Sequence, residues 1–257
     1  MEKSKTLATV ETDRVPDYLR NSEPMGISQL QDYQAVPRLV VVQKMSSEER
    51  IDAYGVGSVV AMPDGIIVAG FNADEKRGDP FVVAPLQWWP TWSQWRDPND
   101  AQLPMVVAES LDPQSEVATK AKNFSTRQEP YTDNPKMSWR YVEGLNFAVE
   151  IQDPPHAGVV AVASWSRGGH GEGKRLCGYI FRRGVDIYAN RLTLQVESRT
   201  NRAGQTWNQL TFGSASPPFC AKKDMDRLKM LHENLSSMYH ASIDADAVNS
   251  AGATVDG

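Results

Sequence analysis

The stretch from Pro80 to Pro98 constrains the fold more than any other, because it contains four of the chain's seven tryptophans within eight residues. An apolar run of β-type residues that begins at Phe81 leads into these tryptophans, which are Trp88, Trp89, Trp92 and Trp95. Pro85, Pro90 and Pro98 lack the N–H that an inner strand donates, so we expect a strand end and a loop rather than one regular element. Two interpretations stay open. The indoles either cap a hydrophobic core or form an exposed platform on which bases stack beside Arg96.

Length and composition set broad limits on the class of protein. The 257 residues can bury a sizeable core as one large domain or two small ones, and a charged content of 23% is ordinary for a globular protein. The sequence has no bilayer-length apolar run and its N-terminus lacks a signal-peptide core, so we expect a cytoplasmic protein with no membrane partner. Cys177 and Cys220 lie far apart and the four histidines form no ligand motif, so we expect no metal and no cofactor.

The charge is distributed unevenly along the chain. The net charge is −5, but residues 159–212 contain eight Lys and Arg against three acidic residues, so this segment carries +5 and the remainder −10. The same segment contains two tyrosines, two phenylalanines and two tryptophans among its cations. Cations for phosphates and flat rings for bases are what sequence-tolerant binding of single strands requires. The alternative is an ordinary sheet with a polar outer face, in which aromatic residues serve as strand formers.

The order of elements predicts a mainly β, α+β fold. We expect strands at 39–42, 59–62, 66–69, from Phe81, and at 139–151, 159–165, 187–200 and 205–212. Residues 173–183 fit a helix that ends at Gly184 better than a strand, and 222–240 form an amphipathic helix. We therefore predict a single domain over 36–240, built as an OB-like barrel or a strongly curved antiparallel sheet with this C-terminal helix. A long polar insertion at 97–138 is either functional or poorly ordered. Residues 1–35 are predicted to be a flexible arm and 241–257 a disordered, weakly acidic tail.

Gly168 to Lys174, with the sequence GGHGEGK, matches the spacing of a phosphate-cradling loop. Arg175 stands where a nucleotidase needs the Ser or Thr that holds magnesium, so an NTP-dependent enzyme is the least favoured hypothesis. A flexible glycine-rich connection and a loop that holds polynucleotide phosphates without hydrolysis both remain open. The sequence contains no paired carboxylates, nucleophile motif or metal-ligand cluster, so we predict no catalytic residues.

Three short motifs resemble a group of bacteriophage early proteins. They are the opening strand Val36–Gln43, with its PRL…Q pattern, the strand Pro80–Leu86, and the hairpin Thr200–Trp207, with its TN…G…W pattern. The wider class that this resemblance suggests is phage single-stranded-DNA-binding and replication or recombination accessory proteins, built on an OB-like barrel. It implies non-catalytic binding of single strands. The 97–138 insertion and the weakly acidic tail depart from that pattern.

We therefore predict a protein that binds single-stranded DNA by base stacking and phosphate contacts. The predicted contact residues are Trp88, Trp92, Trp95, Trp165 and Trp207 for bases and Arg96, Lys174, Arg175, Arg182, Arg183, Arg191 and Arg202 for phosphates. Replication or recombination proteins and a second copy of the chain are further candidate partners. The competing hypothesis is a protein–protein interaction module, such as a virion component or an inhibitor of a host enzyme, that uses the tryptophan-rich segment as a binding hot spot.

Overall fold

A computed structural model describes residues 36–252 other than Ala101, Leu103 and Ala203, with side chains described as far as Tyr239. The predicted N-terminal arm and the last five residues of the predicted tail lie outside the described residues. The described part is mainly β, with twelve strands in one nearly closed, barrel-shaped sheet and a helix at the C-terminal end. This architecture is consistent with an OB-like barrel, so the predicted fold class is confirmed.

The elements follow one another in the order β1 (Arg38–Val41), α1 (Glu48–Tyr54), β2 (Val59–Met62), β3 (Ile66–Ala69), β4 (Phe71–Asn72), β5 (Arg77–Gly78), β6 (Phe81–Trp95), β7 (Val106–Ser110), α2 (Glu116–Lys122), β8 (Gln128–Pro130), β9 (Ser138–Ile151), β10 (Val160–Ser166), α3 (His170–Arg183), β11 (Asn190–Thr200), β12 (Thr206–Phe219) and α4 (Met225–Gly252). The sheet order is β3-β2-β1-β10-β9-β6-β11-β5-β4, with β12 on β11, β7 on β6 and β8 on β9. The β1–β10 pair is parallel and the other pairs are antiparallel.

Alternating residues of the long strands fill the interior of the barrel. In β11, Leu192, Leu194 and Val196 are fully buried while the residues between them are only partly buried, which is the period-2 pattern that the sequence predicted. Phe147 of β9 and Trp165 of β10 meet edge to face in the same core, with ring centroids 5.6 Å apart. Burial of these large side chains is the main force that holds the curved sheet together.

Three side-chain hydrogen bonds, from Gln43 and Trp165, join β12 to other parts of the sheet. The Gln43 side chain donates from Nε2 to the Asn208 carbonyl (2.7 Å) and accepts a hydrogen bond from the Asn208 N–H at Oε1 (3.0 Å). The side-chain amide thus forms the same two hydrogen bonds to Asn208 as the backbone of a neighbouring strand would. The indole N–H of Trp165 donates to the Leu210 carbonyl across the core (2.8 Å). The glutamine of the PRL…Q motif therefore has a structural role in bringing the sheet close to closure.

The tryptophan-rich segment is one continuous strand, so the prediction of a strand end followed by a loop is wrong. Strand β6 pairs with β9 along most of its 15 residues, whereas β11 pairs only with residues 81–83 and β7 only with residues 92–95. Between these two contacts no described strand pairs with the other side of β6, so a missing N–H there removes no ladder bond. Pro85 and Pro90 fall in this interval, and Pro85 adjoins a β-bulge.

Helix α4 packs on the face of β6 and β9 that points away from the barrel interior. Its Leu228 is fully buried against Ala84, Leu86 and Ala148. The guanidinium of Arg227 binds the Glu150 carboxylate, which is 1% exposed, through both of its oxygens. The helix begins close to the predicted position but runs to Gly252 instead of ending at residue 240, because alanine, the strongest helix former, recurs four times between 241 and 252.

The insertion and the uncertain 173–183 segment both contain regular structure. The insertion holds β7, α2 and β8, and α2 buries Ala118 and Ala121 against the sheet, so this segment is packed on the domain. Residues 173–183 are helical, as predicted, within α3, and Gly184 ends the helix with a left-handed φ of 64°.

Candidate nucleic-acid interface

The first two tryptophans of β6 point to opposite faces of the sheet, because successive side chains of a strand alternate. Trp88 stacks on Phe147 with ring centroids 6.5 Å apart and keeps 45% of its surface exposed. Trp89 packs instead on Tyr239 of α4, at 5.7 Å. Trp88 is therefore accessible to a ligand, while Trp89 helps to hold the C-terminal helix.

The other two tryptophans of β6 have different surroundings again. Trp92 is 3% exposed, packs on the two alanines of α2, and has the Lys122 ammonium 4.6 Å from its ring centre. Trp95 is half-buried, with the guanidinium carbon of Arg167 only 3.7 Å above its ring. The four indoles therefore do not form one platform, and the prediction that Trp92 stacks on bases is wrong because its ring lies inside the protein.

Trp165 and Trp207 also differ from each other. Trp165 is 2% exposed and its N–H is bonded inside the core, so it too is a core residue rather than the predicted base contact. Trp207 is half-buried on β12, and its ring lies against the backbone of Gly168, where a β-carbon would come within 3.5 Å of Cζ2. Trp207 thus reaches the turn that carries Arg167.

Two predicted phosphate ligands are already used inside the protein. Arg175 pairs with Glu172 and donates to the Phe212 carbonyl (3.1 Å). Arg183 contacts the Tyr179 hydroxyl and donates to three further oxygens, those of the Asn190 side chain (3.2 Å), the Ser214 hydroxyl (2.9 Å) and the Pro218 carbonyl (2.8 Å). These arginines fix α3 to β12, so the structure does not place them as free cations.

The remaining predicted cations lie apart from one another. Arg96 donates to the Asp97 carbonyl (2.9 Å), and Arg191 donates to the Pro217 carbonyl (3.2 Å). Lys174 is exposed, 3.9 Å from Glu143. Arg182 and Arg202 are exposed and form no ion pair with a described residue, but they occupy separate elements, the C-terminal end of α3 and the β11–β12 turn.

The GGHGEGK segment does not form a phosphate-cradling loop. Residues 167–169 make a single 3₁₀ turn and α3 begins at His170, so the second half of the motif is already helical. Gly173 is buried in the contact between α3 and the sheet, where a β-carbon would lie 2.9 Å from Cβ of Trp165. The close approach of helix and strand therefore explains why glycine stands at this position, and nucleotide binding is not needed to explain it.

A cationic and aromatic site does form where β6, β9, β12 and the turn before α3 meet. We call it the Arg–Trp cluster, which consists of Trp95, Arg140, Arg167 and Trp207. Arg140 is the direct cross-strand partner of Trp95, and Arg167 covers the Trp95 ring from the end of β10. Arg167 has a φ of 49°, a left-handed backbone that is uncommon for a residue with a β-carbon and that recurs at functional sites.

The electrostatics of this cluster favour an anion. Within the described residues neither Arg140 nor Arg167 has an acidic group at ion-pair distance. Burial against Trp95, together with the positive charge of Arg140, lowers the pKa of Arg167. The indole N–H of Trp95 is buried and has no hydrogen-bond acceptor among the described atoms. Two neighbouring guanidinium groups without an ion-pair partner are a combination that an anionic ligand would stabilise.

His170, the first residue of α3, borders the cluster. Its Nε2 lies 2.8 Å from Oε2 of Glu143, and burial lowers the pKa of this histidine despite the nearby carboxylate. Glu143 also attracts Lys174. The charges beside the cluster are therefore balanced. Within the cluster, Asp97 offsets part of the charge of Arg140: hydrogen bonds from the Asn99 and Ser138 N–H groups and the charge of Arg140 lower the pKa of this carboxyl.

Sequence reasoning identified Trp95 and Trp207 but missed Arg140 and Arg167 as site residues. Arg167 belonged to the basic segment, yet nothing local distinguished it from the other seven cations. Arg140 lies 27 residues away in β9 and comes to the same place only through the β6–β9 pairing, in which it is the partner of Trp95. The register of two long strands was the missing information, and a single sequence does not supply it.

No protein-family model, curated protein sequence or solved structure matches the chain. Across the described ranges, no helix is long and apolar enough to cross a membrane. In that same part of the chain, no group of three or more His, Cys, Asp or Glu side chains is arranged to hold a metal ion.

Proposed function

We propose that the chain binds single-stranded DNA without catalysing a reaction and that the Arg–Trp cluster is the centre of the binding surface. The observation that carries the proposal is the Arg167 guanidinium stacked on Trp95, next to Arg140 and with no described acidic group paired to either arginine. An arginine held flat on an indole keeps its edge N–H groups free to bind phosphate oxygens.

The shape of the cluster favours a single strand over a duplex. Trp95 and Trp207 are half-buried rings that contact adjacent residues of one turn, Arg167 and Gly168, so unpaired bases can stack beside a phosphate held by the arginines. Recognition of this kind depends on the faces of bases and on backbone charge rather than on base edges, so we expect little sequence preference.

The proposal is tested by titrating the intrinsic tryptophan fluorescence with oligo-dT at low salt. We expect quenching in the wild type, and we expect Arg167→Met and Arg140→Met each to weaken binding about tenfold, the size of a lost charged hydrogen bond. Lys229→Met is the matched control, because it removes one positive charge from the exposed surface of α4 and leaves the cluster intact. Absence of quenching, or an equal loss of affinity in all three variants, would contradict the proposal.

A further inference from the structure

An apolar groove lies at the opposite end of α3 from the Arg–Trp cluster. We call it the α3 groove; it has a volume of about 640 Å³ and is open to solvent. Its walls are Trp88 and Phe147 of the sheet on one side and Ile180, Phe181, Val185 and Ile187 on the other. None of the residues that line it is charged, so this surface differs in chemistry from the Arg–Trp cluster.

The rim of the groove carries large apolar side chains that project into solvent. Phe181 is 86% exposed, Trp88 45% and Val185 42%. Single exposed apolar residues are common, but a contiguous apolar patch around a concavity marks an interaction surface. A protruding phenylalanine beside an apolar hollow gives this patch both a knob and a hole.

We propose that the α3 groove is a self-association surface, in which two copies of the chain pack about a twofold axis and Phe181 of each copy enters the groove of the other. A surface that presents its knob next to its hole is complementary to itself, which is the property a twofold interface requires. The interaction buries the two exposed rings, Phe181 and Trp88, which are side chains of the kind that dominate interface energetics.

The charges at the rim fit the same arrangement. Arg182 and Asp186 are exposed, carry opposite charges and lie on either side of Gly184 and Val185 in the chain. A twofold axis that passes between them brings each Arg182 towards Asp186 of the second copy. The rim charges therefore favour an antiparallel arrangement, in which a twofold axis relates the two copies. Insertion of Phe181 of each copy into the groove of the other requires the same arrangement.

The groove is a poor match to a nucleic-acid strand. Its walls contain no cation with which to bind phosphate. Trp88 of the groove and Trp95 of the cluster are also seven residues apart on β6, about 23 Å along the strand, so the two surfaces can be occupied independently. Self-association therefore does not rest on the proposed DNA binding.

The interface is expected to be weak. A standard stable interface uses about 20–30 residues from each partner, and the groove with its charged rim supplies about half of that. We expect a dimer that dissociates in the micromolar range, so association is to be measured over a concentration series rather than at one concentration.

Sedimentation equilibrium of the full chain between about 1 and 100 μM tests the proposal, with the wild type compared with Phe181→Ala. We expect a monomer–dimer equilibrium whose dissociation constant rises by at least about 30-fold in the variant, the effect of losing an interface hot spot. Phe124→Ala is the matched control, because Phe124 is equally exposed at 88% but lies in the insertion. A wild type that stays monomeric over the whole range, or a dimer that Phe181→Ala and Phe124→Ala affect equally, would overturn the proposal.

A charge exchange at the rim tests the orientation of the two copies. We expect Arg182→Asp and Asp186→Arg each to weaken the dimer several-fold, and the double variant to recover most of the wild-type association. Circular dichroism of each variant checks that it is folded, since Asp186 also accepts a hydrogen bond from Tyr188. A double variant as weak as the single ones would exclude the antiparallel arrangement.

The same variants separate the occupants that could compete for the groove. We expect Phe181→Ala to bind oligo-dT as the wild type does, because the Arg–Trp cluster is unchanged. If Phe181→Ala instead lost affinity for oligo-dT while the wild type remained monomeric, the groove would belong to the nucleic-acid surface and self-association would be wrong.

Discussion

Two glycines of α3 that are two residues apart provide a direct test of how closely the helix packs on the sheet. A β-carbon added at Gly173 would lie 2.9 Å from Cβ of Trp165 and 3.1 Å from Cδ1 of Leu145. A β-carbon added at Gly171 would meet no atom within 4 Å. Both glycines have ordinary helical backbones, so Gly→Ala makes the same chemical change at both sites while only one of them is crowded.

The expected free energies follow from these distances. Carbon atoms in good contact are 3.5–4.0 Å apart, so Gly173→Ala forces the helix away from β9 and β10 by about half an ångström. Overpacking of this kind costs about 1–3 kcal/mol, and the higher helix propensity of alanine returns up to about 1 kcal/mol. We therefore expect Gly173→Ala to lower the free energy of unfolding by about 1 kcal/mol, and Gly171→Ala to raise it by up to about 1 kcal/mol.

Urea unfolding followed by far-UV circular dichroism measures both values under the same conditions. The predicted difference between the two variants is about 2 kcal/mol, well above the uncertainty of a comparison between midpoints. Because α3 also positions the turn at Arg167, we expect Gly173→Ala to weaken oligo-dT binding and Gly171→Ala to leave it unchanged. A Gly173→Ala protein as stable as Gly171→Ala would refute the packing that we describe for this helix.

Three further predictions concern charged and titratable groups. Arg227→Met leaves the buried Glu150 carboxylate without its positively charged partner and should lower the free energy of unfolding by about 2 kcal/mol, less than for a fully buried pair because Arg227 is half exposed. Adding Glu150→Gln should restore part of the loss, and urea midpoints measure both. Burial raises the pKa of Cys220 to about 11, so iodoacetamide at pH 8 should modify it roughly a hundredfold more slowly than an unfolded cysteine, as mass spectrometry can show. Burial lowers the pKa of His170 below its ordinary value of 6.5. Its contribution to stability is therefore complete above pH 6.5 and is lost as the pH falls, because the unfolded histidine takes up a proton first. His170→Gln should flatten this part of a plot of stability against pH.

The sequence was sufficient to predict the fold class, because periodicity and turn residues report directly on local structure. The alternation in 187–200 predicted strand β11, and the glycine at 184 predicted the end of α3. The length of β6 was missed, because prolines are tolerated where a strand has a free edge, and which parts of β6 are free is a property of the whole sheet.

The candidate site was harder to predict than the fold. Whether a tryptophan stacks on a ligand or fills the core depends on which face of the sheet it occupies and on what covers that face. Trp92 and Trp95 are three residues apart on one strand, yet one lies beneath α2 and the other beneath Arg167. Likewise, Arg175 and Arg183 could not be recognised as internal ligands before the position of β12 was known.

The salt dependence of oligo-dT binding is the most direct test of the proposed function. If the Arg140 and Arg167 guanidinium groups neutralise two phosphates, a plot of log K against log salt for the wild type should have a slope of about −1.5. The Arg140→Met/Arg167→Met double variant should lose most of that slope together with most of its affinity. A wild type whose binding does not depend on salt, or a double variant with the same slope as the wild type, would contradict the assignment of the Arg–Trp cluster as the phosphate-binding centre.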